Sequence, residues 1–156
     1  MFLGVLYSQE GKDSNCNLRT ENENWKLEFK KVDSKSERIE LIQQKLIADS
    51  IYVETKPVIN TSHGRINSHE DKNGNYCGCK ISFILVPKRK RVQYSLNLNS
   101  HPNLIKVVSS FNESNVEDIF HILDNNNKAL GPNGKCGVVK ITTRDKKLIK
   151  LIKNVW

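Results

Sequence analysis

Three groupings of side chains have types and spacings that do chemistry. Four cations stand in succession at Lys88-Arg89-Lys90-Arg91, directly after Pro87. Neighbouring positive charges repel unless solvent or an anion relieves them, so the run reads as a solubilising turn or as a phosphate contact. Immediately afterwards Gln93, Ser95, Asn97 and Asn99 alternate with Val92, Tyr94, Leu96 and Leu98. Such a strand buries one face and lines the other with hydrogen-bonding groups. Those groups can read base edges, or they simply meet water, as on any one-sided antiparallel sheet. The third grouping is Cys77-Gly78-Cys79, with His63 and His69 upstream. Zinc accepts such ligands, but paired cysteines in structural sites are usually separated by roughly two to four residues, and here a single residue intervenes. Cys16 and Cys136 lie far off in the sequence. Without a secretory signal, reduced thiols are the expectation.

The elements that must carry these groups follow from periodicity. Residues 80–86 and 92–99 form the clearest hairpin, joined by the basic turn. Trp25, Leu27 and Phe29 alternate with Lys26, Glu28 and Lys30, which predicts a half-buried strand over 25–32 with the lysines outward. Asp33 and Ser34 supply cap chemistry before a helix over 36–48, whose Ile39, Ile42 and Leu46 recur at helical spacing with Leu41 beside them. Residues 52–59 read as a short extended piece, and 60–78, rich in Gly, Asn, Ser and His, as a long loop. Pro102 marks a helix start, which gives His101 a packing role, and Leu104, Ile105, Val108 and Phe111 give that helix its apolar face. Residues 116–123 are apolar and predicted helical; 137–143 read as a strand with Lys140 on its polar side, and 145–155 as a closing amphipathic helix with Leu148, Ile149, Ile152 and Val155 inward. An apolar segment ending in an acidic or amide turn, then a loop, an extended run and a helix, therefore occurs twice. The two copies cover about residues 1–60 and 76–156 of one domain, 1–156.

Composition bounds the partners. The chain has 156 residues and carries 25 Lys and Arg against 17 Asp and Glu, for a formal charge of +8. That excess favours a polyanion, of which nucleic acid is the commonest. No apolar run approaches the ~20 residues of a membrane span. The first residues resemble neither a signal peptide nor an Arg-rich transit peptide. An organellar location then requires local synthesis or a presequence already removed.

The order of these elements, with particular words in it, resembles the LAGLIDADG family of homing endonucleases and group I intron maturases. Gly4-Val5-Leu6-Tyr7-Ser8-Gln9-Glu10-Gly11 is similar to the first signature helix. Tyr94-Ser95-Leu96-Asn97-Leu98-Asn99-Ser100-His101-Pro102, followed by Leu104, resembles a strand-to-helix join of the intron-encoded branch. Residues 119–126, ending Asp124-Asn125-Asn126, fall where that branch has a second signature ending in two aspartates and a glycine, and Val139-Lys140-Ile141-Thr142-Thr143 resembles the strand after it. The resemblance implies an α/β (α+β) fold of two pseudo-symmetric halves. Their antiparallel sheets would form a saddle along a duplex, contacted by Lys26, Lys30, Lys88, Arg89, Lys90, Arg91, Gln93, Ser95, Asn97, Asn99 and Lys140. It also implies cleavage by one carboxylate from each signature, here Glu10 and Asp124, which would hold magnesium. Asn125 and Asn126 depart from the pattern, and the Gly4 to Gly11 spacing is one residue longer than the usual motif, a rotation of about 100° on a helix. The expectation is a cleavage-inactive descendant that needs no cofactor to bind. It would be a monomer, off the membrane, binding structured RNA in an organellar matrix (a mitochondrion before a plastid). There it would act as a ribosomal protein among other ribosomal proteins, or as an intron maturase. The alternative is an active magnesium-dependent endonuclease cutting double-stranded DNA.

Overall fold

The computed structural model describes residues 16–54, 69–70, 76–88, 90–124 and 136–156. Helix α1, Leu18–Lys31, opens them. Leu18, Asn22, Trp25 and Phe29 recur at helical spacing and are buried, whereas Leu27 is 59% exposed. The strand expected at 25–32 is thus a helix. A six-residue alternation fits either period, and the longer series starting at Leu18 settles it. Helix α2, Lys35–Ala48, begins where expected, and the Glu37 backbone N–H donates to the Ser34 hydroxyl at its cap. Ile39, Ile42 and Leu46 face the core.

A small antiparallel sheet follows, of strands β1 (Val53–Glu54), β2 (His69–Glu70) and β3 (Tyr76–Gly78). The expected long loop therefore contains strand structure. The main sheet comprises β4 (Ser82–Pro87), β5 (Tyr94–Ser95), β6 (Asp118–Ile122) and β7 (Val138–Thr143), in the order β5-β4-β7-β6. The β7 strand lies as predicted, and β4 and β5 pair antiparallel, although of the strand expected over 92–99 only Tyr94–Ser95 is extended and Val92 is exposed. Residues 116–123, expected to be helical, instead form edge strand β6, antiparallel to β7. Ile119 and His121 alternate there with Phe120 and Ile122, so both faces are apolar and the run mimics a helical stripe. Strands β4 and β7 pair in parallel, Phe83 opposite Val139 and Leu85 opposite Ile141. The sheet is therefore mixed rather than antiparallel.

A short 3₁₀ turn, Pro102–Leu104, leads into α3, Ile105–Ser109, and α4 spans Lys146–Val155 with Asp145 capping the Leu148 N–H. Pro102 starts its helix as read, although Ile105 stays exposed. The helices pack on one sheet face. Phe83 and Leu85 of β4 and Val139 and Ile141 of β7 meet Trp25 and Phe29 of α1 and Leu148 and Ile152 of α4 in one cluster. Trp25 and Phe83 meet edge to face at 5.6 Å. The architecture is mixed α/β, with four α-helices and a four-stranded mixed sheet among the described residues. The two copies read from sequence differ here. The first gives helix–helix at 18–48, and the second gives strand–strand–helix at 118–155.

The cysteines depart from expectation too. Cys16 is bonded to Cys77 and Cys79 to Cys136, with Cα separations of 5.4 and 5.9 Å. These bonds tie β3 to the start of α1 and to the lead-in of β7. Cys77 also packs with Leu18 and Tyr52 in a second, smaller cluster.

Candidate nucleic-acid interface

The structure divides the residues selected from sequence. Glu10 and Arg89 lie outside the described residues, as do the first signature, Asn125 and Asn126, and His63. Asp124 follows β6, with its side chain 83% exposed, and its Oδ1 accepts from Lys30 Nζ at 2.9 Å. The Lys30 ammonium holds this carboxyl below the usual carboxylate value. Because the segment before it is a strand, Asp124 does not stand at the foot of a helix. Among the described residues no three His, Cys, Asp or Glu side chains are grouped to hold a metal ion.

Several expected phosphate contacts are already engaged. Lys26 is buried at 5% exposure and paired with Glu23 at 3.0 Å. Its burial follows from α1 being a helix, which turns position 26 towards the body beside Trp25. Lys88 is held by Asp118 at 2.8 Å and Glu117 at 2.9 Å. The Asp118 bond, with Glu117 second, raises its pKa above the usual lysine value. Asn97 caps its own turn, its Oδ1 accepting from the Asn99 N–H at 3.1 Å, and Asn99 Nδ2 donates to the Tyr52 carbonyl. Lys30 is exposed but paired with Asp124, and the other exposed members of the expected set among the described residues are Lys90, Arg91, Gln93, Ser95 and Lys140.

The open face of the main sheet is not the polar row that alternation predicted. Phe120, Lys140, Ile84 and Ser95 stand in register across its four strands. Phe120 is 56% exposed, and Ile122 lies partly exposed beside it. Lys140 is the one cation in that row.

Helix α4 supplies what the sequence reading left out. Lys146, Lys147, Lys150 and Lys153 are all exposed. Leu148 and Ile152 fix the buried side, which places Lys146, Lys150 and Lys153, at i, i+4 and i+7, in one stripe opposite the core. The helix contains no acid, and the acid directly before it, Asp145, caps it by accepting from the Leu148 N–H. Like charges three and four residues apart each cost a helix about 0.2–0.5 kcal/mol. Lys146 and Lys147 also sit at the end where the helix dipole disfavours cations. The β4–β5 turn adds to the stripe, because the Lys153 ammonium pushes Lys90 below the usual lysine value. Beyond it Trp156 stacks on His101 at 5.2 Å and donates from Nε1 to the Ser95 carbonyl at 3.1 Å. A helical projection of 145–155 would have revealed the stripe, because its acid-free polar side is legible residue by residue.

A cleft of about 560 Å³ beside α2 is lined by Ser36, Glu40, Gln43, Asn112, Glu113 and Ser114, and its two carboxylates repel phosphate. No protein-family model, curated protein or solved structure matches this chain.

Proposed function

We propose that this chain is a nucleic-acid-binding protein whose contact surface is the lysine stripe of α4 together with Lys90 and Arg91 of the β4–β5 turn. The observation that carries this is the repulsion along that surface: three in-line lysines with no acid on their helix, no ion pair to them among the described residues, and the Lys90 ammonium, which Lys153 disfavours. A polyanion relieves all of it at once. The stripe is about 10 Å long, at 1.5 Å per residue. It spans about three phosphates of one strand at ~3.4 Å per charge. Lysine meets phosphate as a point charge and carries no base information. Recognition is therefore by backbone and shape, which suits structured RNA. The mechanism is passive: counterions leave, phosphates are neutralised, and one RNA conformation is stabilised.

The family origin belongs to the same proposal. Support for descent from a LAGLIDADG endonuclease comes from the Ser100-His101-Pro102 join, which here enters the 3₁₀ turn before α3, and from the hairpin–helix–hairpin–helix order of residues 82–155. A pseudo-symmetric saddle needs a second sheet-bearing half, and α1 and α2 occupy that place in the first copy. Descent with loss of cleavage leaves a ribosomal or intron-splicing role in an organelle such as a mitochondrion. An active endonuclease would need Asp124 to give up Lys30 for magnesium.

The test is titration of the full chain with a structured RNA and with a DNA duplex across a salt series, with magnesium present and absent. The proposal expects salt-steep binding and intact nucleic acid. Salt-independent binding, or none, defeats it, and specific magnesium-dependent strand breaks would restore the endonuclease.

A further inference from the structure

We infer that Trp156 is a stacking platform for an unpaired RNA base, set at the end of the lysine stripe so that one nucleotide meets cation and ring together. This rests on the proposed nucleic-acid surface and names the part of the RNA that the surface takes.

The ring is placed by its surroundings. The Trp156 backbone N–H donates to the Ile152 carbonyl at 3.0 Å, which continues the bonding of α4. Trp156 comes three residues after Lys153, and residues so spaced on a helix have Cβ atoms about 5–6 Å apart. Three contacts then fix the indole. It stacks on His101 with ring centroids 5.2 Å apart and planes 13° from parallel. It meets Tyr94 edge to face at 5.7 Å, and its Nε1 donates to the Ser95 carbonyl at 3.1 Å. The supports are themselves held. Tyr94 is buried on β5. His101 is anchored by the turn before α3: its N–H donates to the Asn97 carbonyl and its carbonyl accepts from the Leu104 N–H, both at 3.0 Å.

Despite these contacts the indole stays 50% exposed, whereas Trp25 in the core is 7% exposed. A lone exposed aromatic is ordinary on a protein surface. Trp156 differs in joining an immobilised ring, open π surface and neighbouring cations. That combination holds single-stranded nucleic acid, with cations tracking the backbone and aromatic rings taking the bases. Because the ring is oriented before the ligand arrives, stacking on it costs little ordering entropy. In a continuous duplex each base is already covered by its neighbours, but loops and bulges present splayed bases to such a ring. Every base has a π-face, so the platform tolerates any sequence, as do lysines that contact phosphate alone.

The experiment titrates the full chain with two RNAs of equal length, a hairpin with an unpaired loop and a blunt duplex, across a salt series. Tryptophan emission is read beside anisotropy, because an exposed indole such as Trp156 emits to the red of a buried one such as Trp25. The hairpin should bind more tightly than the duplex and quench the red emission at saturation. Trp156→Ala should weaken hairpin binding by about 5- to 150-fold. The slope of log affinity against log salt should not change, since stacking releases no counterions. Trp156→Phe should retain most of the affinity, and urea unfolding shows whether each variant keeps its fold. If Trp156→Ala unfolds, quenching of the wild-type chain and the Trp156→Phe affinity decide. Salt-steep binding of both RNAs without quenching by the hairpin overturns the platform and leaves the lysine surface standing. So does a folded Trp156→Ala chain that binds the hairpin as tightly as wild type. Absence of salt-dependent binding to either RNA overturns both.

Discussion

Replacing Lys146, Lys150 and Lys153 together by Gln separates a binding surface from an ordinary basic helix, because both accounts predict raised stability and only the first predicts weakened binding. The side chains are exposed and opposite the Leu148–Ile152 core contacts, so packing is untouched. Three like-charge pairs vanish, Lys146 with Lys150, Lys147 with Lys150 and Lys150 with Lys153, each worth about 0.2–0.5 kcal/mol. Folding stability should rise by up to about 1.5 kcal/mol in all. Binding should fall. Each phosphate contact contributes about 0.7–0.9 to the slope of log K against log salt, so three lost contacts flatten that slope by about 2–3. Extrapolated from a common value at 1 M salt, that difference is roughly 100-fold in affinity at 0.15 M. Fluorescence anisotropy over a salt series gives the slope, and urea unfolding gives the stability. An unchanged slope with raised stability refutes the interface while leaving the fold intact. Lowered stability refutes the placement of the stripe itself.

Three further outcomes follow from particular contacts. Leu27→Ala should change stability by no more than about 0.5 kcal/mol, as exposed sites do, whereas an inward leucine on a strand would cost about 2–5 kcal/mol; urea midpoints decide. Lys45 and Asp49 form a buried pair at 2.7 Å, each side chain 4% exposed, so Lys45→Met alone should destabilise by roughly 3–5 kcal/mol by stranding a buried charge. Burial outweighs Lys45 and holds the Asp49 carboxyl above its usual value. With the folded pKa raised, its contribution to stability is greatest below the ordinary carboxylate range and declines as pH rises through the folded value. Asp49→Asn should abolish that decline in pH-dependent unfolding. Finally, Asp124 should titrate below an ordinary aspartate by carbon-detected NMR and move back up in Lys30→Ala, and Asp124→Asn should leave nucleic-acid affinity no weaker.

Much of the architecture was legible because caps and hairpins are local. Ser34 before α2, Pro102 before α3 and the alternation of Tyr94, Leu96 and Leu98 with Ser95, Asn97 and Asn99 stand where their chemistry puts them. The errors share one cause, a window too short to distinguish periods. Trp25-x-Leu27-x-Phe29 satisfies a period of two, but Leu18, Asn22, Trp25 and Phe29 together satisfy only the helical one. Residues 118–122 are apolar on both strand faces, since Ile119 packs inward while Phe120 remains open to solvent, so alternation leaves no trace. The site was half legible. The cations of the turn were visible as a run, but pairing of Lys88 with Glu117 and Asp118, some thirty residues away in sequence, is tertiary information. So is the approach of Lys153 to Lys90. Cysteine connectivity could not be read at all, because spacing does not determine which thiols meet.

The central claim is that α4 and the β4–β5 turn hold nucleic acid, and cross-linking in the protein's own cells tests it most directly. The recovered nucleic acid would be sequenced, and the cross-linked peptides mapped on the chain. The account predicts one reproducible RNA locus, with cross-links at Lys90, Arg91 and within Lys146–Val155. Recovery of no nucleic acid, or of cross-links confined to Phe120 and Lys140 on the open sheet, contradicts it.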